Sequence, residues 1–224
     1  MRYLSGLVTI AWKDITAEFR TKEMSTSMGI FALLVMVVFG FALRPGTEEA
    51  VAIFPGIAWI GFFFAGLLGL SRSFVSERMN GAMSGLMLAP IDRSVIYFGK
   101  VVGNLLFMFV VEAVSFPLYI VLFDVPAPKR PDLLALTAFL GTLGFVAVGT
   151  FLAALAANTR TSELLLPILL FPLAIPLVIG VVTLTGAALT GDFTDVGVWW
   201  RMISVYDVVF LVVPWLLFEY LLES

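Results

Sequence analysis

Apolar stretches long enough to cross a bilayer recur along this chain, separated by short polar breaks, and nothing else constrains its fold as tightly. A crossing helix needs about 20 such residues, because in lipid every backbone polar group must be bonded within the segment. The candidates lie at 25–43, 51–71, 101–123, 133–157, 164–187 and 202–222. The first stops at Arg44-Pro45-Gly46. The second opens near Phe54-Pro55-Gly56, where Pro55 suits a first helical turn. The third stops at Asp124, before Pro126, Pro128 and Pro131, and the fourth ends near Asn158-Thr159-Arg160. The break at 188–201 closes on Trp199-Trp200-Arg201, a pattern suited to the headgroup layer. Charged residues make up 13% of the chain and apolar ones 61%, against about 25% and 45–50% in soluble domains. The expected fold is an all-α integral membrane protein of six spans in one domain, 1–224, without internal repeats.

Residues 1–23 do not span. Leu4, Leu7, Val8, Ala11, Trp12, Ile15 and Phe19 recur at helical spacing, with Lys13, Asp14, Glu18 and Arg20 on the other side. This predicts an amphipathic helix in the membrane interface, with Trp12 at headgroup depth and its charges in water. The plainer reading is a helix packed on the protein. Asp14 and Glu18 interrupt what would be the apolar core of a cleavable signal, so the N-terminus is read as mature.

The cations set the expected orientation. Arg2, Lys13, Arg20, Lys22, Arg72, Arg78, Arg93, Lys100 and Arg160 fall on one side; Arg44, Lys129, Arg130 and Arg201 fall on the other. The richer side faces the cytoplasm. That puts both termini, segment 72–100 and the turn at 158–163 inside.

Segment 72–100 is the longest polar interruption, holding Arg72, Glu77, Arg78, Asp92, Arg93 and Lys100, with Gly81, Gly85 and Pro90 as breaks. It cannot cross hydrocarbon and must lie at one membrane face, where something soluble can touch it. Phe74, Val75, Arg78, Met79, Ala82, Met83, Leu86 and Met87 are spaced for a helix with one apolar side, which Pro90 and Asp92 would end. Composition alone does not separate a docking helix from a connecting loop.

The chain has no Cys and no His, which excludes disulfides, thiol chemistry, imidazole ligands and Ser-His-Asp catalysis. No GxxxxGK[ST] loop occurs, so any ATP is bound by another chain. No catalytic or metal-binding residue is expected, and no nucleic-acid partner.

Two acids fall inside spans. Glu112 lies near the middle of the third, on the same stretch as Asn104 and Ser115, and Asp207 in the first turns of the sixth. Carboxylates in spans cost about 2.5–3.5 kcal/mol at mid-bilayer and face the bundle interior. Glu112 is read either as part of a substrate route or gate or as a structural hydrogen bond, and Asp207 as structural. Pro167, Pro172 and Pro176 in the fifth span each remove a backbone donor, so that helix should be bent or broken, as a hinge or as a static kink. Gly61, Ala65, Gly69 and Gly149, Ala153, Ala157 suit close helix packing.

These residues carry a resemblance. Arg72-Ser73-Phe74, then Glu77, Gly81, Leu86, Leu88 and Pro90, followed by Gly99-Lys100, resembles the ABC-2 type permease pattern. With Lys13-Asp14, Glu18-Phe19-Arg20, Lys22-Glu23, Phe54-Pro55-Gly56-Ile57-Ala58-Trp59 and Phe171-Pro172-Leu173-Ala174-Ile175-Pro176, the chain is similar along its whole length to the CcmB family, permeases of cytochrome c maturation. The resemblance implies a multi-pass protein of the bacterial inner membrane, whose segment 72–100 holds a cytoplasmic coupling helix docked on an ATPase. Arg72, Phe74, Glu77, Arg78, Gly81, Leu86, Leu88 and Pro90 would make that contact, and Glu112, Pro167, Pro172 and Pro176 the pathway or gate. The implied partners are the ATPase CcmA, which holds the ATP, CcmC, CcmD, the heme chaperone CcmE and a second permease copy. Heme would be the transported group or the cargo of the released chaperone. Heme iron is usually held by His, Cys, Met or Tyr; this chain has no His or Cys, and its nine Met, scattered over apolar spans, are read as packing, so axial ligands are expected from a partner chain. The competing expectations are an ABC-2 permease for a lipid, glycan or drug, and a scaffold that only transmits the ATPase's shape change.

Overall fold

The computed structural model describes residues 2–79, 92–157 and 162–221. Among them are seven helices and no strand. They are α1 (Arg2–Thr21), α2 (Glu23–Ala42), α3 (Glu48–Met79), α4 (Arg93–Leu122), α5 (Pro131–Ala157), α6 (Ser162–Thr190) and α7 (Val196–Leu221). The last six are long and apolar enough to cross a membrane. The chain is a multi-pass membrane protein.

Local chemistry sets the ends of these helices. Lys22 turns the chain between α1 and α2 with a φ of 55°. Glu18 reaches over that turn: its carboxylate accepts the Ser25 N–H and hydroxyl, each at 2.7 Å, and so caps the start of α2. Thr47 caps α3 by accepting the Ala50 N–H at 3.2 Å. Asp92 caps α4 by accepting the Ser94 N–H at 2.8 Å. Pro131 opens α5 with its missing donor at the one place that tolerates it. Gly191, at a φ of +75°, ends α6.

Alternating spans bring α1, the end of α3 and the start of α4 to one end of the bundle. The 43–47 and 123–130 connections lie at the other, where the Gly46 N–H donates to the Phe123 carbonyl. α3 and α5 are the most enclosed spans. Their rings interlock: Phe63 stacks on Phe145 with centroids 4.3 Å apart, and Trp59 donates to the Thr185 hydroxyl of α6 at 2.8 Å. Small residues let helices close up within the chain. Gly61 faces Val35 and Tyr119, Gly69 faces Met28, and Gly149 faces Leu70.

Several boundaries differ from the sequence expectation. α3 begins at Glu48, so Pro55 lies inside the helix and not in its first turn. The same helix continues to Met79, so Arg72 and the residues after it extend the second span. Asp92 caps the start of α4, and 93–100 are that span's first turns; the expected coupling helix falls largely at 80–91, outside the described residues. α7 begins at Val196, which brings Trp199, Trp200 and Arg201 into the span helix and leaves Asp207 near its middle. In each case polar or aromatic residues that favour an interface are also compatible with helix, and the helix runs on through them.

Candidate functional site

The first turns of α4 contact elements on every side. Ser94 shares a 2.8 Å hydrogen bond with Tyr3 of α1. The Tyr97 hydroxyl, fully buried, shares its one proton between the carbonyls of Ala147 in α5, at 3.1 Å, and Phe210 in α7, at 3.0 Å. At Gly99 a Cβ would lie 2.8 Å from the Cβ of Ile10, so α1 and α4 meet as closely as glycine allows. Lys100 follows, with its side chain 1% exposed. Its ammonium lies 3.0 Å from the Asp14 carboxylate and donates to the Ser73 carbonyl near the end of α3 at 3.3 Å. Asn104, one turn further, donates to Thr150 of α5 at 3.1 Å. The helix that follows segment 80–91 is thereby bonded to α1, α3, α5 and α7.

α1 divides its apolar residues between two faces. Leu4, Val8, Trp12 and Phe19 point away from the protein, whereas Ile10 and Ala11 are buried. Leu7, Ile10, Ala11 and Asp14 form the stripe that packs on α4. Asp14 is therefore not a water-facing charge: Lys100 draws it onto the protein side. In a lipid setting an apolar stripe need not face the protein, so apolar spacing alone misassigns the inner face. Lys13 sits 3.2 Å from Asp14, and Arg20 stays exposed. The sequence marks Lys100 only as a cation within Tyr97–Asn104 that needs a partner, without naming that partner.

Arg72 pairs at 3.3 Å with Glu23 on the exposed rim. Glu77, Arg78 and Phe74 lie on the last turns of α3, whose side chains fall outside the described residues. Gly81, Leu86, Leu88 and Pro90 lie outside them altogether.

Deeper in the bundle, Glu112 accepts the Thr142 hydroxyl at 2.7 Å across the α4–α5 seam. Asp207 is buried, and neither of its oxygens has a hydrogen-bond partner among the described residues. It presses against Gly144, where a Cβ would collide with it and with the Tyr206 ring. Neither Thr142 nor Gly144 stood out in the sequence, because both are common packing residues. α6 keeps Pro167, Pro172 and Pro176 within one continuous helix. Of the two expected outcomes, bent or broken, the helix is not broken. Pro176 crowds the preceding turn, and there Tyr206 of α7 donates its hydroxyl to the Leu173 carbonyl at 3.2 Å.

The profile of a family described as CcmB protein matches residues 5–219. A Rhodobacter capsulatus protein named heme exporter protein B is 33% identical over 149 residues, 66% of this chain and 68% of that protein. The Pseudomonas aeruginosa protein of the same name is 31% identical over 160 residues, 71% of each. That of Bradyrhizobium diazoefficiens is 25% identical over 191 residues, 85% of this chain and 86% of the relative.

Proposed function

The chain belongs to the CcmB family, and from that premise we propose that it is the permease subunit of an ABC transporter for cytochrome c maturation. It sits in the bacterial inner membrane with both termini in the cytoplasm, as the distribution of Lys and Arg favours. A separate ATPase, CcmA, docks on the coupling segment and holds the ATP; this chain performs no covalent chemistry. CcmC, CcmD and the heme chaperone CcmE complete the assembly, with a second permease copy. ATP hydrolysis drives heme export or release of the loaded chaperone, and any axial ligand to heme comes from a partner chain.

One observation supports this reading above the rest. The turns of α4 that directly follow the segment are bonded through Ser94, Tyr97, Lys100 and Asn104 to helices on both sides of the bundle. A displacement delivered there has a route into the spans that hold Glu112 and the prolines of α6. A two-state rearrangement of packed helices needs such a contiguous network. Copurification from native membranes tests the docking. The wild-type chain should bring the ATPase with it, and Gly81→Trp should insert normally but lose it. Normal recovery of the ATPase with Gly81→Trp would remove the docking assignment. Movement of heme into sealed vesicles separates export from chaperone release.

A further inference from the structure

We propose that Lys100 is a positioning residue for coupling: through Asp14 it makes α1 and α4 one moving body. The inference rests on the permease reading. It assigns to α1 a part in the transmitted motion, beyond anchorage in the membrane interface.

Lys100 differs from the other cations at this end of the bundle. Arg72 and Glu23 are 52% and 69% exposed, so their attraction is weakened by water and salt. Lys100 is 1% exposed and Asp14 15%. An ammonium so enclosed cannot take water in place of Asp14 as an exposed one can, so separating the pair costs more than separating an exposed one. The pair therefore resists opening where an exposed one would not. Its position matters as much. It adjoins Gly99, where a Cβ would lie 2.8 Å from that of Ile10 and 3.4 Å from the Leu7 carbonyl. Ion pair and closest backbone approach thus fall within one turn.

α1 has little else to hold it. It packs mainly on α4 and only weakly on α2. Its outer stripe of Leu4, Val8, Trp12 and Phe19 stays exposed. A shift of α4 therefore takes α1 with it for as long as Lys100 and Asp14 stay joined. Beyond the Lys22 turn, the Glu18 carboxylate bonds Ser25 at 2.7 Å, which passes the displacement on to α2. Ser73, bonded to the same ammonium, fixes the end of α3 to this body.

The test uses the complete complex in lipid nanodiscs, with ATP hydrolysis and chaperone release measured together. Lys100→Met and Asp14→Asn should retain the ATPase subunit and its hydrolysis, while release per ATP falls about tenfold. Lys100→Arg should keep most of the coupling. The exchange Asp14→Lys with Lys100→Asp should restore release above either single variant, which a merely structural requirement for lysine would not do. Should Lys100→Met fail to accumulate, a cysteine pair replaces the ion pair. The chain has no native cysteine. A Cβ on Gly103 would lie 3.7 Å from that of Asp14, a disulfide separation, so in Asp14→Cys, Gly103→Cys oxidation should restore coupling and reduction should abolish it. Coupling within about twofold of wild type in Lys100→Met, or no gain from the exchange and the cross-link, overturns the inference. Absence of the ATPase from the wild-type complex would instead overturn the permease reading.

Discussion

Glu112 and Asp207 are both carboxylic side chains deep in the bundle, and their surroundings separate them. Glu112 receives a hydroxyl donor from Thr142, whereas Asp207 receives none among the described residues. A buried polar group without a partner costs about 1–3 kcal/mol. Asp207→Leu keeps the branching of the side chain and removes the unmet oxygens. It should raise stability by about 1–3 kcal/mol, read from thermal unfolding in detergent. A fall in stability would show that the carboxyl has a stabilising partner. For Glu112, the Gln variant keeps an acceptor for Thr142, so protein level should hold. If Glu112 belongs to the pathway, transport should drop on the order of tenfold. Unchanged transport at normal protein level would remove it from that role.

Among the elements, α4 and α1 define the junction. Gly99 and Gly56 both lie inside helices, but a Cβ meets Ile10 at 2.8 Å at the first and nothing within 4 Å at the second. Gly→Ala in a helix normally stabilises by about 0.5–1 kcal/mol. Gly56→Ala should show that gain. Gly99→Ala should instead lose about 1–3 kcal/mol through forced separation of α1 from α4. Equal effects at the two sites would mean that the contact at Gly99 is slack. α6 keeps its prolines without breaking. There Tyr206 supplies a donor to the Leu173 carbonyl, in the turn that Pro176 disturbs. Tyr206→Phe should remove this interhelical hydrogen bond and lower stability by about 1 kcal/mol, measured in the same unfolding assay.

For the whole molecule, the count of spans was legible in the sequence, since apolar length alone requires crossing helices. The stops at Arg44-Pro45-Gly46 and at Asp124 also agree with the helix ends. Which side of a helix meets protein was not legible, because lipid and protein interior accept the same apolar residues. Leu4 and Leu7 look alike in sequence, yet Leu4 is 69% exposed and Leu7 packs against the core. Pairs such as Asp14–Lys100 and Glu112–Thr142 join residues far apart in the chain, so local pattern could not match them. Glu18 was legible as polar but not as a cap, because the Lys22 turn that aims it carries no glycine.

On the proposed function, the segment between α3 and α4 receives work from an ATPase on the cytoplasmic side. The chain has no cysteine, so Gly81→Cys gives a single reactive site for cross-linking in native inner membranes. The predicted result is an adduct with the ATPase subunit that forms to different extents with and without ATP. Labelling of that cysteine by an impermeant reagent from the periplasmic side, with no ATPase adduct, would contradict the account.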